Sequence, residues 1–93
     1  MKVRTRFRAF NRTYIFNLDT DTLDRNYGDE GYGYWIKERD GYFFEIDIYK
    51  KWDKEDNCER FTDDGLVIMY ANQGDFEDAR ECGLLDIKFI IEA

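Results

Sequence analysis

The stretch YGYWIKERDGYFFEIDIYK, from Tyr32 to Lys50, carries the strongest local fold signal in the chain. At its centre the dipeptide Asp40-Gly41 is typical of a type I′ turn, and the segments on both sides are rich in aromatic and β-branched residues. A two-residue turn at this point pairs Arg39 with Tyr42 and determines every later pair. We therefore predict a long β-hairpin with a defined register.

This register sorts the side chains of the hairpin onto two faces. One face is apolar and is predicted to lie in the core; it contains Trp35, Phe44, Ile46 and Ile48. The opposite face groups two acids with two tyrosines, Glu45, Asp47, Tyr34 and Tyr49. If another element covers this face, both acids should be paired, with the N-terminal arginines as the expected partners. If the face is open, the acids are the start of a binding surface.

Period-two alternation and apolar runs predict further strands. Residues 2–10 and 13–18 should form a second hairpin around Asn11-Arg12. Residues 66–71 should form a central strand buried on both faces, and residues 84–92 a last strand. The polar segments 19–31 and 50–65 are predicted to be loops, the first with one short helical turn.

One short helix is predicted from Asp75 to Cys82. Asp75 is a favourable N-cap, acids follow in the first turn, and Gly83 suits the position after the helix. The 93 residues are therefore expected to form a single α+β domain, residues 1–93. We expect a mostly antiparallel sheet of about six strands with one helix packed on it.

The composition excludes several kinds of active site, because the chain contains no His, Ser or Pro. Without His and Ser there is no Ser-His-Asp or Cys-His arrangement and no His-ligated zinc site. Cys58 and Cys82 are too few for a four-cysteine zinc site and are interpreted as reduced thiols. Two acidic stretches, beginning at Asp19 and Asp53, lack the glycine that an EF-hand loop requires. We expect neither a metal nor a cofactor.

Carboxylate chemistry is the enzymatic alternative. Acids on adjacent strands followed by a lysine suit a metal-dependent nuclease, and Glu45 and Asp47 with the tripeptide DIK, Asp86 to Lys88, fit this pattern loosely. A separation of roughly 6.6 to 7 Å between the two hairpin acids also suits glycoside hydrolysis. A domain of this size offers little room for a substrate groove, and its acidic body repels nucleic acid. An enzyme is therefore the weaker interpretation.

Charge is unevenly distributed along the chain. Residues 1–18 contain five Lys or Arg and no acid, whereas residues 19–93 contain nine basic and 21 acidic residues, a difference of −12. Arg4, Arg6 and Arg8 share one face of a predicted strand. We expect them to pair with acids of a neighbouring strand or of a second copy in a homodimer, rather than to form a nucleic-acid track. No apolar leader or long apolar run is present, which predicts a soluble cytoplasmic protein.

Acids recur over most of the chain and are interleaved with Tyr, Phe and Trp. Carboxylates at alternate positions of a strand are spaced comparably to successive phosphates, so an acidic array suits a basic DNA- or RNA-binding cleft, with aromatic residues as anchors. The predicted partner-binding residues are Tyr34, Glu45, Asp47, Tyr49, Trp52, Asp53, Glu55, Asp56, Asp63, Asp64, Asp75, Glu77, Asp78 and Glu81.

In its short length, acidity and aromatic, sheet-rich makeup the chain resembles the small acidic inhibitors encoded by phages and mobile elements, including DNA-mimicking anti-restriction and anti-CRISPR proteins. The resemblance lies in composition, and no family site residue can be carried over. It implies a non-enzymatic inhibitor that blocks the basic nucleic-acid-binding site of a host defence protein. An immunity or antitoxin-type protein that neutralises a basic toxin is the alternative. Both functions imply a basic protein partner, without direct binding to nucleic acid or membrane.

Overall fold

The structure, a computed structural model, describes residues 1–71 and 76–92. Two single 3-10 turns, Thr20–Thr22 and Phe76–Asp78, are the helical segments of this part of the chain. The remaining regular structure consists of strands: β1 Lys2–Ala9, β2 Arg12–Asp19, β3 Arg25–Tyr27, β4 Tyr32–Arg39, β5 Tyr42–Asp53, β6 Cys58–Ala71, β7 Arg80–Lys88 and β8 Ile90–Glu92.

The strands form two antiparallel sheets. Sheet I has the order β2-β1-β8, and sheet II has the order β3-β4-β5-β6-β7. The inner faces of the two sheets pack against each other and form one hydrophobic cluster. The fold is therefore mostly β, and the prediction of an α+β fold with six strands and one helix was wrong.

The predicted helix from Asp75 to Cys82 is replaced by the 3-10 turn Phe76–Asp78 and the first part of β7; Asp75 itself lies outside the described residues. The helical signals in this segment covered about two turns, and an isolated helix that short is unstable in water. Strand β7 instead pairs with β6 from Ala71↔Arg80 to Asp64↔Lys88, interrupted by one register shift. Long-range pairing with a neighbouring strand outweighed the local helical signals.

The predicted loop over residues 50–65 was also wrong, because β5 continues to Asp53 and β6 begins at Cys58. These extensions form a two-stranded arm, residues 50–61, that projects beyond a register shift between Ile48 and Lys50. Phe61 at the base of the arm packs against the core, whereas the rest of the ribbon has no second layer, so its sequence lacks the apolar alternation by which strands are recognised. Lys50 lies over the Phe61 ring, with its Nζ 5.0 Å from the ring centre.

The hairpin around Asp40-Gly41 is confirmed in turn and register. Both turn residues have positive φ, and the pairs run from Arg39↔Tyr42 to Tyr32↔Tyr49. The first hairpin turns one residue earlier than predicted, because Ala9 pairs with Arg12 and the residues between them have positive φ.

The core is aromatic where the sheets meet. Phe44 in sheet II has no exposed surface, and its ring lies 4.7 to 5.6 Å from three aromatic rings of sheet I, those of Tyr14, Phe7 and Phe16. In β6 the expected burial on both faces was wrong: Val67 and Met69 are buried, whereas Leu66 and Ile68 on the opposite face are only half-buried. Sheet II therefore has one inner face and one outer face.

Phe89 connects the two sheets. The predicted last strand, residues 84–92, ends its pairing in sheet II at Lys88 and resumes in sheet I at Ile90. At the crossing, the Phe89 amide donates a hydrogen bond to the Asp63 carbonyl at 2.7 Å, and its buried ring packs on Trp35 at 6.1 Å. The outer faces of the two sheets consequently lie on opposite sides of the molecule.

Candidate functional site

The outer face of sheet II, here called the tyrosine face, combines aromatic, aliphatic and acidic side chains. Register places the same-face residues in adjacent rows across the five strands. Its aromatic members are Tyr27, Tyr32, Tyr34, Phe43, Tyr49 and Tyr70; its aliphatic members are Ile36, Leu66, Ile68 and Leu84; its acids are Glu38, Glu45, Asp47, Asp64, Glu81 and Asp86.

One corner of the tyrosine face is covered. Phe76, in the second 3-10 turn, packs edge-on against Phe43 at 5.9 Å and against Tyr70 at 4.9 Å. Over the centre, around Asp47, neither 3-10 turn nor any strand of the described residues forms a second layer. Leu84 is 58% exposed on this face. Apart from its corner, the face is therefore left open by residues 1–71 and 76–92.

Glu45 and Asp47 occupy the centre of the tyrosine face, as the hairpin register predicted. Asp47 is only 6% exposed, because Tyr34 and Leu66 flank it on the neighbouring strands. Burial raises the pKa of Asp47 to about 8, and the Glu45 carboxyl beside it adds to the increase through a hydrogen bond to the protonated form and through its charge. The pair therefore holds a proton at neutral pH.

The tyrosines around the pair are also affected by burial and by nearby carboxylates. Burial raises the pKa of both Tyr32 and Tyr70 to about 12, with further contributions from Glu30 and Glu45 respectively. The pKa of Tyr34 and that of Tyr49 are raised for the same leading reason. All four hydroxyls are therefore neutral donors at physiological pH, suited to hydrogen-bond a carboxylate or a carbonyl.

The predicted arm residues are not part of the tyrosine face. Asp53 accepts hydrogen bonds from the Glu55 and Asp56 amides, and Arg60 bridges Asp53 and Asp56. The Asp56 amide, then the Glu55 amide and Arg60, lower the pKa of Asp53. Trp52 is 57% exposed on the arm. Asp53 and Asp56 thus stabilise the tip of the arm and are already neutralised by a cation.

Asp63 and Asp64 are neutralised in a similar way. Lys88 forms ion pairs with both, at 3.6 Å to Asp63 and closer to Asp64. The lysine of the DIK tripeptide is therefore engaged by acids of the neighbouring strand. Asp86 lies across Leu66 from Asp47, beside an open depression of about 370 Å³. Within residues 1–71 and 76–92, no group of three or more acids or cysteines is arranged to hold a metal ion.

The remaining predicted acids are divided between two places. Glu81 pairs with Tyr70 in register and lies at the covered corner of the tyrosine face, whereas Glu77 and Asp78 lie in the 3-10 turn. Asp75 lies outside the described part of the chain. Of the predicted partner-binding residues, the tyrosine face therefore brings together Tyr34, Glu45, Asp47, Tyr49, Asp64 and Glu81.

The arginine face, defined by Lys2, Arg4, Arg6 and Arg8, lies on the outer side of sheet I. Arg4 is 3.8 Å from Glu92, an acid of a neighbouring strand as predicted, and Arg8 contacts Thr13 at 3.5 Å. Since sheet I and the tyrosine face are on opposite sides of the core, these arginines do not pair with Glu45 or Asp47. The pairing was expected only for a covered face, so the alternative for an open face, a binding surface, is the one that applies.

Sequence reasoning missed several residues of the tyrosine face. Tyr32 could have been predicted, because the hairpin register already pairs it with Tyr49. Asp86 was named only in the enzymatic alternative, as part of the DIK tripeptide, and the position of Tyr70 depended on the pairing of β6 with its neighbours. That pairing includes a bulge in β6 opposite Tyr49 and a second register shift between Met69 and Tyr70, neither of which has a recognisable sequence signal.

Comparisons with known proteins give no relative: no protein-family model, curated protein or solved structure matches this chain. Among the helical segments described, none is long and apolar enough to span a membrane.

Proposed function

We propose that this chain is a non-enzymatic inhibitor that binds the basic, nucleic-acid-binding surface of a host defence protein through its tyrosine face. The observation that carries the proposal is the position of Glu45 and Asp47 at the centre of an open sheet face. Among the described residues, no Lys or Arg forms an ion pair with either acid. Aromatic anchors with unpaired charges at their centre suit a partner of opposite charge.

The shape of the face favours a macromolecular partner over a small substrate. Small-molecule sites are concave and enclose most of their ligand, whereas the depression beside Asp86 is open. The acids of the face outnumber its two cations, Arg25 and Lys88, so phosphates are repelled and basic surfaces attracted. These features support a protein-binding role in the host cytoplasm.

The proposal assigns phosphate mimicry to fewer acids than the sequence indicated. The acids at the tip of the arm and at Lys88 already have cationic partners within the chain. The candidate phosphate surrogates are therefore acids of the tyrosine face, chiefly Glu45 and Asp86, with Asp47 contributing a charge once it loses its proton on binding. Exposed Trp52 offers a second, separate contact on the arm.

A competition experiment tests this function. The tagged protein is used to isolate its partner from host cells, and the binding of the partner to a fluorescently labelled DNA duplex is measured by anisotropy. We expect the wild-type chain to displace the duplex, with an affinity that falls steeply as salt is raised. The triple variant Glu45→Gln/Asp47→Asn/Asp86→Asn should bind at least about tenfold more weakly.

A second triple variant, Asp21→Asn/Asp29→Asn/Glu55→Gln, is the control, because it removes at least as much negative charge at exposed sites outside the tyrosine face. It should retain displacement. Equal losses in both variants, or no loss in the first, would contradict the role of the face. A partner that binds this chain but has no affinity for nucleic acid would contradict mimicry and favour the immunity or antitoxin alternative.

A further inference from the structure

Asp47 is the buried carboxyl of the tyrosine face. Its exposed fraction is 6%, and its Oδ1 atom receives no hydrogen bond from any residue that the structure describes. Buried carboxyl groups are normally paired or hydrogen-bonded, because an unpaired one costs free energy on folding. The side chain lies on the outer face of sheet II, and its unsatisfied oxygen is itself buried beneath the surface of that face.

The groups that face Asp47 cannot neutralise it. From every strand packed against it, these groups are acids or tyrosines: Glu45 and Tyr49 on β5, Tyr32 and Tyr34 on β4, Asp64 and Tyr70 on β6, and Asp86 on β7. The nearest cations in register are Arg25, on the far side of Tyr34, and Lys88, which is already held by Asp63 and Asp64. The centre of the face therefore lacks a positive charge.

The chemistry of the site distinguishes between possible cations. A divalent metal ion requires about six oxygen ligands, whereas two carboxylates on one strand supply few. A guanidinium is planar, donates several hydrogen bonds in fixed directions, and stacks on aromatic rings. Glu45 and Asp47, roughly 6.6 to 7 Å apart at their Cβ atoms, are placed to accept from its two edges. Tyr34 and Tyr49 supply rings on either side of Asp47.

We propose that Glu45 and Asp47 form a receptor for one arginine side chain of the partner, a role that rests on the proposed function. On binding, the Asp47 side chain turns outward so that its buried Oδ1 becomes accessible, and the guanidinium donates hydrogen bonds to that oxygen and to Glu45. The proton that the two carboxyls share before binding is released to solvent, so that a paired dianion and one cation are left.

This release makes recognition dependent on pH. Because burial and Glu45 raise the pKa of Asp47 to about 8, the free site is protonated at pH 6 to 7 and must lose its proton on binding. The affinity for an arginine should consequently increase with pH by up to about tenfold per unit and level off above pH 8.

The test uses ethylguanidinium as the probe and the full chain with labelled Asp and Glu carboxyl carbons, observed by NMR. We expect the titration midpoint of Asp47 to shift to lower pH as the probe is added, together with shifts of the Tyr34 and Tyr49 ring signals. Ethylurea, a neutral compound of similar shape, should leave all of them unchanged. Asp47→Asn should abolish the shifts of the Tyr34 and Tyr49 ring signals, and Asp21→Asn, at an exposed site outside the tyrosine face, should retain the full response.

Two results would overturn the arginine receptor: an Asp47 midpoint unmoved by excess ethylguanidinium, or a midpoint moved by Mg²⁺ or Ca²⁺ but not by the guanidinium. The partner experiment separates this proposal from the proposed function. If the partner binds wild type and Glu45→Gln/Asp47→Asn equally, the receptor is contradicted and the inhibitor stands. If ethylguanidinium binds but nucleic acid is never displaced, the inhibitor is contradicted and the receptor stands.

Discussion

The backbone carbonyl of Asp47 lies so close to Gly65 that a Cβ atom built on the glycine would be 2.0 Å from the carbonyl oxygen. The same atom would be 2.4 Å from Cε2 of Phe89, at the crossing between the sheets. Gly65 therefore allows three elements to meet, namely β5 near Asp47, β6 next to its bulge, and the connection between β7 and β8.

Gly65→Ala should destabilise the fold by more than about 3 kcal/mol, because the obstructing atoms are backbone and a buried ring that cannot move aside. Urea unfolding followed by circular dichroism measures the effect. Gly28→Ala is the matched control, since a Cβ there meets nothing within 4 Å, and its stability should change by less than about 0.5 kcal/mol. Equal midpoints for the two variants would contradict the close approach.

Asp47→Asn should stabilise the protein by about 2 kcal/mol at pH 8, because the amide keeps the shape of the carboxyl and removes a buried charge. The folded-state pKa of Asp47, about 8, lies above the ordinary aspartate value of 3.8. The folded state therefore binds more protons than the unfolded state between these values, and Asp47 makes wild-type stability fall as pH rises through this window. The gain from Asp47→Asn should be small at pH 4 and largest above pH 8.

Asp86→Asn removes an acid from the same face at an exposed position and should show no such pH-dependent gain. Urea unfolding of wild type, Asp47→Asn and Asp86→Asn at several pH values measures how the free energy of unfolding of each depends on pH. A gain from Asp47→Asn that is constant with pH would mean that Asp47 is charged in the folded state even in weak acid.

Two tyrosines report separately on two acids. Tyr70 is influenced by Glu45 and Tyr32 by Glu30, after burial in each case. Glu45→Gln should lower the pKa of Tyr70 and leave that of Tyr32 unchanged, whereas Glu30→Gln should do the reverse. Alkaline titration of labelled tyrosine rings by NMR measures both values, and circular dichroism at each pH verifies that the fold persists. Parallel shifts of both tyrosines in either variant would contradict the placement of these acids.

The two tryptophans should behave in opposite ways. Trp35 is fully buried and donates a hydrogen bond from Nε1 to the Asp19 carbonyl at 3.1 Å, whereas Trp52 is 57% exposed on the arm. Trp35→Ala should cost about 3 to 5 kcal/mol in the free energy of unfolding. Trp52→Ala should cost less than about 0.5 kcal/mol and should weaken partner binding if the arm takes part. A large loss of stability in Trp52→Ala would show that the arm packs on the body.

The sequence predicted those parts of the fold whose signals are local. Asp40-Gly41 is a turn dipeptide, and from it the register placed Glu45 and Asp47 opposite the core face. The pairing of β6 and β7 is a long-range property, and helix-like spacing between Phe76 and Gly83 gave a wrong element there. The arm was missed because solvated strands carry no apolar alternation. The placement of the arginines on the side of the core opposite the tyrosine face depends on the crossing at Phe89, which no local signal marks.

The arginine face and the tyrosine face lie back to back on opposite sides of the core, so the molecule carries an electric dipole through the thickness of its two sheets. Near a basic surface this dipole experiences a torque that turns the carboxylates forward before contact, and orientation is selected during diffusion. In the proposed complex Arg4, Arg6 and Arg8 then point away from the partner. A nucleic acid bound to the same basic site of the partner would expose phosphates on its outer side. This chain and the nucleic acid would therefore present opposite charges to the next molecule that approaches.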